Sequence, residues 1–310
     1  MKSLKLEKIL IGPSTFAALD KTPVKRMISN GFQIIDNPFK RKMTEDELVD
    51  LLSDDVIGLL AGLEPLNRKV LEKSNFKVIS RVGSGLSNID LEAAKELGIK
   101  VCYTPYGPTR AVAELTIGAI LSMIRMMPEM DRDLHRLKWN KKIGFQLEGK
   151  SIAIIGYGKI GKCVAKLLSS FNTKILVVDP FIDPKKIDYP VFSLENVLPL
   201  ADIITIHSSG EECLFDENEF SIMKRGVYIL NPARGSLISE RALIKGLDNG
   251  KVAGAWLDSF ESEPYSGPLT DYDNVILTPH VGSYTMECRA QMEAEAVDNL
   301  LNAIGRKNKA

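Results

Sequence analysis

One short segment limits what this chain can fold into more than any other. A run of five residues typical of a buried β-strand, Ser151–Ile155, is followed at once by the pattern Gly-Tyr-Gly-Lys-Ile-Gly and then by a helical period. Between a strand and a helix, the first glycine of such a pattern permits a tight turn. The second lets the backbone approach a phosphate group, and the third allows close helix packing. The N–H groups at the helix start offer donors to the anion. The segment therefore predicts a dinucleotide site formed by Gly156, Gly158, Lys159, Ile160 and Gly161.

An acidic residue at the end of the next strand strengthens this interpretation. Lys174–Val178 is typical of a strand, and Asp179 follows it, 23 residues after Gly156. A carboxylate there accepts hydrogen bonds from both ribose hydroxyls and repels the 2′-phosphate that distinguishes NADP from NAD. The predicted cofactor is therefore NAD. The alternative for Asp179 is a capping role before Pro180.

The rest of the chain alternates apolar strands with helical periods, which predicts an α/β fold with parallel sheets covered by helices. Two series are visible, and a single long helix from about residue 110 to 136 joins them. Its apolar residues occupy more than one face. This indicates either a deeply buried helix or a helix shared with a second subunit. Helix caps are predicted at Thr44, Ser193 and Ser239, and a helix stop at Gly98. The predicted strands cover residues 8–11, 33–35, 56–60, 77–80, 100–102, 151–155, 174–178, 202–207, 227–230, 252–257 and 275–277.

Composition excludes several classes of partner. The chain has 40 basic and 40 acidic residues, so its formal net charge is zero, and there is no electrostatic reason to expect nucleic acid or an anionic membrane. Its most apolar helical stretch, residues 115–124, is too short to cross a bilayer, which needs about 20 residues. The four cysteines form no C-x-x-C pair, so neither a disulfide framework nor a metal site is expected. We expect a cytoplasmic protein without a metal.

Candidate reacting groups follow three strands of the second series. His280 lies in Thr-Pro-His-Val-Gly after strand 275–277, and histidine can give and take a proton near neutral pH. Glu263, after strand 252–257, is the carboxylate we expect to orient that imidazole and raise its pKa. Arg234, after strand 227–230, can bind a carboxylate through two parallel hydrogen bonds. Each residue alone is as well explained by a structural or solvent-exposed role, but the ends of parallel strands share one edge of the sheet. By the same reasoning His207, at the end of strand 202–207, is expected to border the cofactor.

These segments together resemble the D-isomer-specific 2-hydroxyacid dehydrogenases, in particular their phosphoglycerate dehydrogenase-like branch. The resemblance covers most of the chain. It rests on the Arg-Val-Gly-Ser-Gly segment at 81–85, the Ala-Val-Ala-Glu-Leu segment at 111–115 and the Leu-Glu-Gly-Lys segment at 147–150. It also rests on Asn-Pro-Ala-Arg-Gly at 231–235, Asp-Ser-Phe-Glu-Ser-Glu-Pro at 258–264 and Thr-Pro-His-Val-Gly at 278–282.

The resemblance implies two Rossmann-like domains. A flavodoxin-like substrate-binding domain, residues 1–105 plus 284–310, is interrupted by the NAD-binding domain, residues 106–283, and the family usually forms homodimers. In this family Arg234 binds and polarises the substrate, Glu263 tunes His280, and His280 transfers the proton. Backbone N–H groups of Ser84 and Gly85 hold the substrate carboxylate. The cofactor contacts that the resemblance adds are Pro232, Ala233, Asp258 and Gly282.

Two departures from the family pattern concern the ligands. The family commonly has the pattern His-x-Pro-Leu-Thr, whereas residues 207–211 of this chain are His-Ser-Ser-Gly-Glu. The loop at residues 61–65 lacks an arginine that the family's phosphoglycerate dehydrogenases carry. Arg81 and Arg110 are the candidates to replace it, and we assign Arg81 to the substrate.

The resulting hypothesis is NAD-dependent hydride transfer between a small D-2-hydroxy acid and its 2-oxo acid, with a 3-phosphoglycerate-like acid among the candidates. The main alternative is an NAD-sensing interaction protein of the same fold, which would not need the retained Arg, Glu and His. Formate oxidation on a similar scaffold is a third hypothesis, disfavoured by Glu263 because that chemistry needs no acid–base pair.

Overall fold

Alternating strands and helices build two parallel sheets in the computed structural model, which describes residues 6–306. The chain divides into two units, Met1–Pro108 with Ser283–Ala310, and Thr109–Gly282. These boundaries differ by one to three residues from those expected from the sequence. The predicted fold class, two parallel-sheet α/β domains with one inserted into the other, is confirmed.

Unit 1, the discontinuous one, is built on a five-stranded sheet in the order β2-β1-β3-β4-β5. This is the flavodoxin-like order, in which the chain reverses direction across the sheet between β1 and β3. The last helix, α11, packs on β3, β4 and β5. The strands are β1 Lys8–Ile11, β2 Gln33–Ile35, β3 Val56–Ala61, β4 Val78–Arg81 and β5 Lys100–Tyr103, and the helices are α1 Thr22–Ser29, α2 Glu45–Asp50, α3 Arg68–Glu72, α4 Leu91–Glu96 and α11 Met286–Ala303.

Unit 2 carries a six-stranded parallel sheet in the order β11-β10-β9-β8-β6-β7. Three short 3₁₀ helices lie at Pro184–Lys186, Gly235–Leu237 and Pro268–Asp271. The strands are β6 Ser151–Ile155, β7 Lys174–Val178, β8 Ile203–Ile206, β9 Val227–Asn231, β10 Val252–Leu257 and β11 Val275–Leu277, and the helices are α5 Pro108–Ile124, α6 Met127–His135, α7 Lys159–Ser169, α8 Leu194–Val197, α9 Glu217–Ile222 and α10 Glu240–Asp248.

Both faces of the unit 2 sheet are buried, because successive residues of each strand enter different cores. In β6, Ala153 and Ile155 belong to one apolar cluster, and Ile152 and Ile154 belong to the other. All four side chains are at most 3% exposed. Near-continuous apolar strands are typical of parallel sheets covered on both faces, which explains why the strand signals in the sequence are strong.

The prediction of a single helix from residue 110 to 136 is wrong. The helix ends at Ile124, and α6 begins at Met127 after a break at which Met126 has a left-handed backbone conformation, with φ +52°. Pro128 lies in the first turn of α6, a position that proline tolerates because the first N–H groups of a helix have no intrahelical partner. Residues of α5, including Ala113 and Ile120, are fully buried in unit 2.

Most predicted helix ends are confirmed. Thr44 forms a reciprocal capping box with Glu47, and the Ser239 hydroxyl accepts a hydrogen bond from the Ala242 N–H. Gly98 follows α4 with φ +70°, as a helix stop requires. Ser193 occupies the cap position of α8, but its side chain makes no capping hydrogen bond.

Within residues 6–306 no single helix has the length and hydropathy to cross a membrane. The bent pair α5 and α6, which turn by 65° at their break, meets those criteria together by length and composition only. The same range contains no group of three or more His, Cys, Asp or Glu side chains able to hold a metal ion.

Candidate active site

The dinucleotide motif lies at the point where the strand order of unit 2 reverses. The neighbours β6 and β8 are not consecutive in the chain, and β7 lies on the other side of β6. Ligands of open α/β sheets bind outside the carboxyl ends of the strands at such a switch point. Here those ends carry the loop that starts at Gly156 and the segment that starts at His207.

The three motif glycines meet different surroundings. Gly156 has φ +94°, and a Cβ added to it would lie 2.6 Å from the Ser208 backbone nitrogen. A Cβ on Gly161 would collide with the Gly156 carbonyl oxygen, so these two glycines serve the turn and the packing of α7. At Gly158, by contrast, an added Cβ would meet nothing within 4 Å. This open position at the start of α7 leaves space for an anion close to the backbone N–H groups of Lys159 and Ile160.

Asp179 lies at the end of β7, next to the motif. Its two carboxylate oxygens accept hydrogen bonds from the backbone N–H groups of Tyr157, at 2.8 Å, and Phe181, at 2.9 Å. These bonds hold the carboxylate beside the glycine loop, and each oxygen retains a second lone pair. The Asp179 carboxylate can therefore also accept hydrogen bonds from ribose hydroxyls. Its bond from the Phe181 N–H is the local capping that the alternative interpretation describes.

His207 lies against the same loop, and its imidazole Nε2 lies 2.9 Å from the Thr205 hydroxyl. Burial lowers the pKa of His207 to about 3, so its ring is neutral at physiological pH. The next residue, Ser208, has a buried hydroxyl that lacks any hydrogen-bond partner in the structure. A buried hydroxyl without a partner is unfavourable. Since the Ser208 backbone nitrogen lies beside Gly156 of the glycine motif, this hydroxyl is a candidate to bond a ligand held by the motif.

The predicted acid–base pair is brought together in the loops after β10 and β11, on the opposite side of the sheet from β7. The Nδ1 atom of His280 lies 3.0 Å from both Glu263 Oε1 and Glu263 Oε2, although the residues are 17 positions apart. Both side chains are partly buried. Glu263 in turn accepts a hydrogen bond from the Phe260 N–H. Because the carboxylate accepts from Nδ1–H, the imidazole has Nε2 as its remaining nitrogen for proton transfer.

His280 is held in an unusual backbone conformation, with φ +54°. The turn that contains it is fixed by Asp258, which is 1% exposed. One carboxylate oxygen of Asp258 accepts from the Thr278 hydroxyl at 2.6 Å and the Val281 N–H at 2.9 Å, and the other accepts from the Gly282 N–H at 2.8 Å. Burial raises the pKa of Asp258, against the opposing effect of these hydrogen bonds. Left-handed conformations of non-glycine residues persist where surrounding contacts enforce them, commonly at active sites.

Arg234 follows β9 and is partly buried, and its Nη1 donates to the Ala233 carbonyl at 2.7 Å. Asn231, fully buried at the end of β9, shapes this turn. Its side chain donates to the Arg234 carbonyl and accepts from the Ala233 N–H. A Cβ on Gly235 would collide with the Glu261 nitrogen, so the turn packs directly on the segment that carries Glu263. The loops after β9, β10 and β11 therefore form one continuous edge.

The remaining cofactor residues predicted for unit 2 lie along that edge. Pro232 and Ala233 belong to the Asn231 turn, and the Ser259 hydroxyl donates to the Ala233 carbonyl. Gly282 is buried between Asp258 and Val112, and a Cβ added there would lie 3.0 Å from Asp258 Oδ2. The contacts of these residues with a cofactor stay predictions.

The predicted substrate residues of unit 1 follow β4. Ser84 is exposed and Gly85 is partly exposed. Arg81 is 8% exposed, and its guanidinium is turned inward, where it donates to the Val82 carbonyl. The assignment of Arg81 as a substrate ligand stays a prediction.

Sequence reasoning missed several residues that build this site. It did not assign Asn231, Thr278, Ser208 or Thr205, and it gave Asp258 only a cofactor contact. Asn231 and Thr278 lie inside the motifs already noted, so small polar residues flanking a predicted reacting group were the available signal. The unpartnered hydroxyl of Ser208 has no counterpart in the sequence pattern.

The fold and the site together define a dinucleotide-binding α/β protein with an acid–base pair on the same sheet. Residues 117–282 match the model of the family described as D-isomer specific 2-hydroxyacid dehydrogenase, NAD binding domain. The prediction of an NAD-binding domain is confirmed by this match. The chain belongs to the D-isomer specific 2-hydroxyacid dehydrogenase family.

Individual relatives agree with this membership. The chain is 33% identical to D-3-phosphoglycerate dehydrogenase of Homo sapiens, over 99% of this chain and 58% of that protein. It is 36% identical to glyoxylate reductase of Thermofilum pendens, over 83% of this chain and 78% of that protein. The TT0316 protein from Thermus thermophilus has a similar structure, with 29% identity and a TM-score of 0.88 over 97% and 98% of the two chains. The chain thus spans a little over half the length of its phosphoglycerate dehydrogenase relative. The names of the curated relatives do not favour the alternative of a non-enzymatic NAD sensor.

Proposed function

We propose that this protein is an NAD-dependent dehydrogenase that interconverts a small D-2-hydroxy acid and the corresponding 2-oxo acid. The observation that carries the proposal is the contact between His280 Nδ1 and the Glu263 carboxylate at 3.0 Å, on the sheet that also carries the dinucleotide motif. Oxidation of an alcohol needs a base for the hydroxyl proton. An imidazole oriented by a carboxylate is suited to that task.

NAD held at the glycine loop and Asp179 would supply the hydride acceptor, and His280, Glu263 and Arg234 would supply the acid–base and charged groups. In the oxidative direction His280 Nε2 takes the hydroxyl proton while the C2 hydrogen leaves as hydride, and Glu263 stabilises the imidazolium that forms. In the reductive direction the same nitrogen returns the proton. Arg234 places positive charge where the oxygen of the 2-oxo group becomes negative, and preorganised charge of this kind lowers the barrier.

Three features of unit 2 support NAD as the cofactor. Gly158 leaves open space at the start of α7, the Ser208 hydroxyl lacks a protein partner, and Asp179 presents a carboxylate beside the loop. A carboxylate accepts from two ribose hydroxyls but repels a 2′-phosphate. We therefore expect NADH to be preferred over NADPH by at least tenfold in kcat/KM.

The substrate class is a 2-hydroxy or 2-oxo acid, and unit 1 is its proposed binding domain. Backbone N–H groups of Ser84 and Gly85 are the proposed ligands of the substrate carboxylate. Two relatives are named for different acids, one phosphorylated and one not. Either class is therefore a candidate, and a panel that contains glyoxylate, hydroxypyruvate, pyruvate and 3-phosphohydroxypyruvate separates them.

The test is oxidation of NADH, followed by its absorbance, with that panel. The decisive variant is His280→Asn, because asparagine tolerates the left-handed conformation of residue 280 better than alanine does. We expect kcat to fall by about 10²–10⁴-fold, the usual contribution of a positioned acid or base, with NADH affinity within twofold of wild type. The matched control is His135→Asn, since His135 is exposed on α6 of the same unit. Full turnover in His280→Asn would contradict the mechanism.

We further propose a cytoplasmic homodimer. The segment 136–146 has no regular structure and exposes large apolar side chains, with Leu137 95%, Ile143 92% and Trp139 78% exposed. Such residues are costly to leave in water, and a second copy of the chain is the partner we expect to cover them. Sedimentation should give a dimer for the wild type and a monomer for the double variant Trp139→Asp, Ile143→Asp. The free thiols of Cys102, Cys163, Cys213 and Cys288 suit a reducing compartment.

A further inference from the structure

The switch point of unit 1, between β1 and β3, is occupied by a side chain of the protein itself. The Glu64 carboxylate lies there and is 1% exposed. Its Oε1 accepts a hydrogen bond of 2.7 Å from the Gly62 N–H, in the loop after β3. A Cβ on Gly12, in the loop after β1, would collide with Oε1, and a Cβ on Gly62 would lie 2.8 Å from Oε2. The carboxylate thus fills a crevice that two glycines leave open.

A second buried charged residue of unit 1, Arg81, lies at the end of β4. Burial raises the pKa of Glu64, and the positive charge of Arg81, together with that of Lys42, opposes this rise. Arg81 itself donates to the Val82 carbonyl, and its guanidinium lies against Gly83, where an added Cβ would come within 2.8 Å of Nη1. The Gly83 N–H in turn donates to the Thr104 hydroxyl. Arg81 therefore holds residues 82 and 83, directly before Ser84 and Gly85.

The polypeptide around Glu64 is fixed as well. The Asn88 side chain donates to the Glu64 carbonyl at 2.7 Å, and the Asn37 side chain donates to the Gly12 carbonyl at 2.7 Å. Both partners belong to loops on the carboxyl side of the sheet. A rigid framework of this kind restricts the loop that follows it, and rigidity before binding lowers the entropy lost on binding.

We propose that Glu64 is a positioning residue whose contacts with Gly12, Gly62 and the Asn88 side chain hold the Ser84–Gly85 loop ready for the carboxylate of a 2-oxo acid. This inference rests on the proposed function. Glu64 does not touch the reacting atoms. Its loss should therefore weaken the binding of substrate more than it slows the chemical step, which depends on residues of unit 2.

The test compares Glu64→Ala and Glu64→Gln with the exposed control Glu92→Ala on α4. In steady-state reduction of the best 2-oxo acid, we expect Glu64→Ala to raise KM at least tenfold while kcat changes less than threefold. Glutamine retains the oxygen that accepts from Gly62 and nearly the same shape, so Glu64→Gln should stay within threefold of the wild-type KM. NADH affinity, measured by fluorescence, should be unchanged in every variant. An unchanged KM in a folded Glu64→Ala protein, or a loss confined to kcat, overturns the proposal.

Two further measurements cover the cases in which Glu64→Ala does not fold or the wild type reduces no 2-oxo acid. If Glu64→Ala does not fold, Asn88→Ala removes the hydrogen bond to the Glu64 carbonyl instead and should raise KM selectively in the same way. Hydrogen exchange of a peptide spanning residues 82–88 gives a readout that needs no turnover. Exchange should be at least tenfold faster in Glu64→Ala or Asn88→Ala than in wild type or Glu92→Ala. If the wild type reduces no 2-oxo acid, the proposed function fails and the exchange rates alone decide the positioning role. Equal exchange rates overturn it.

Discussion

The two sheets of this protein each have a switch point, and the two crevices differ in the groups that lie at them. In unit 1 the crevice between β1 and β3 is filled by the Glu64 carboxylate, which bonds to Gly62 and packs on Gly12. In unit 2 the crevice between β6 and β8 is bordered by the loop that starts at Gly156 and by the segment that starts at His207. A Cβ on Gly158 would meet nothing within 4 Å, and the buried Ser208 hydroxyl lacks a partner.

The difference shows that strand order alone does not decide whether a crevice binds a ligand, because the side chains around the two crevices differ. Topology places a potential ligand site at both crevices. The unit 2 crevice has open space at Gly158 and the Ser208 hydroxyl beside it, so there the residues favour a ligand over a side chain of the protein itself. Function is therefore assigned from the groups at the site and not from the strand order alone.

The largest expected effect comes from filling the open crevice. Gly158 precedes α7 with extended backbone angles, φ −72° and ψ −158°, so Gly158→Asp places a favourable capping residue there without strain. Its carboxylate would, however, oppose the pyrophosphate at close range. Repulsion of about 1–4 kcal/mol at roughly 4 Å, together with the lost space, should raise the Kd of NADH by at least about 100-fold. Isothermal titration measures the affinity, and thermal unfolding should show a Tm that is equal or higher.

Gly118→Ala is the control for that substitution, because an added Cβ also meets nothing there but lies inside α5, away from the motif. It should leave NADH binding unchanged. Wild-type affinity in Gly158→Asp would mean that the open crevice does not receive the pyrophosphate, and the contrast between the two sheets would lose its functional meaning.

A second prediction concerns the anchoring within unit 2 itself. Asp258→Asn replaces one of two carboxylate oxygens by an NH₂ group, which faces a backbone N–H of the His280 turn and cannot accept from it. A buried donor left without a partner costs about 1–3 kcal/mol. We expect that loss in the free energy of unfolding, measured in urea, and a fall in kcat because the turn relaxes. Asp271→Asn, an exposed substitution in the same unit, should change neither. Full stability and kcat in Asp258→Asn would show that the turn keeps its conformation without this anchor.

The sequence predicted most of unit 2 because its signals are local. β6, β7, β10 and β11 match the predicted strands residue for residue, since each is a short apolar run bounded by turn residues. The glycine motif and Asp179 needed only spacing. The break at Met126 was missed because the apolar residues of α5 and α6 continue across it. Pro128 was the signal, since proline lacks an N–H and favours the first turn of a new helix.

Contacts that depend on loops meeting in space were beyond the sequence. Glu64 and Arg81 are 17 residues apart, and neither spacing nor residue type indicates that both are turned inward. The same holds for Asp258, whose partners lie 20 to 24 positions further along the chain. Such hydrogen bonds form only when whole strands come together. The sequence can therefore predict that these residues share one edge of the sheet, but not which polar groups there already bond to other groups of the protein.

The smallest expected effect tests directly whether a polar group at the sheet edge serves the fold or a ligand. The Ser208 hydroxyl has no partner to lose, so Ser208→Ala should leave the free energy of unfolding unchanged or raise it slightly. In the complex the hydroxyl would donate to the cofactor, and a neutral hydrogen bond contributes about 0.5–1.5 kcal/mol. The Kd of NADH should therefore rise about two- to tenfold, as measured by fluorescence titration. The neighbouring exposed residue gives the control, Ser209→Ala, which should change neither quantity. A loss of stability in Ser208→Ala with unchanged NADH binding would show that the hydroxyl serves the fold, and unit 2 would then resemble unit 1 at its switch point.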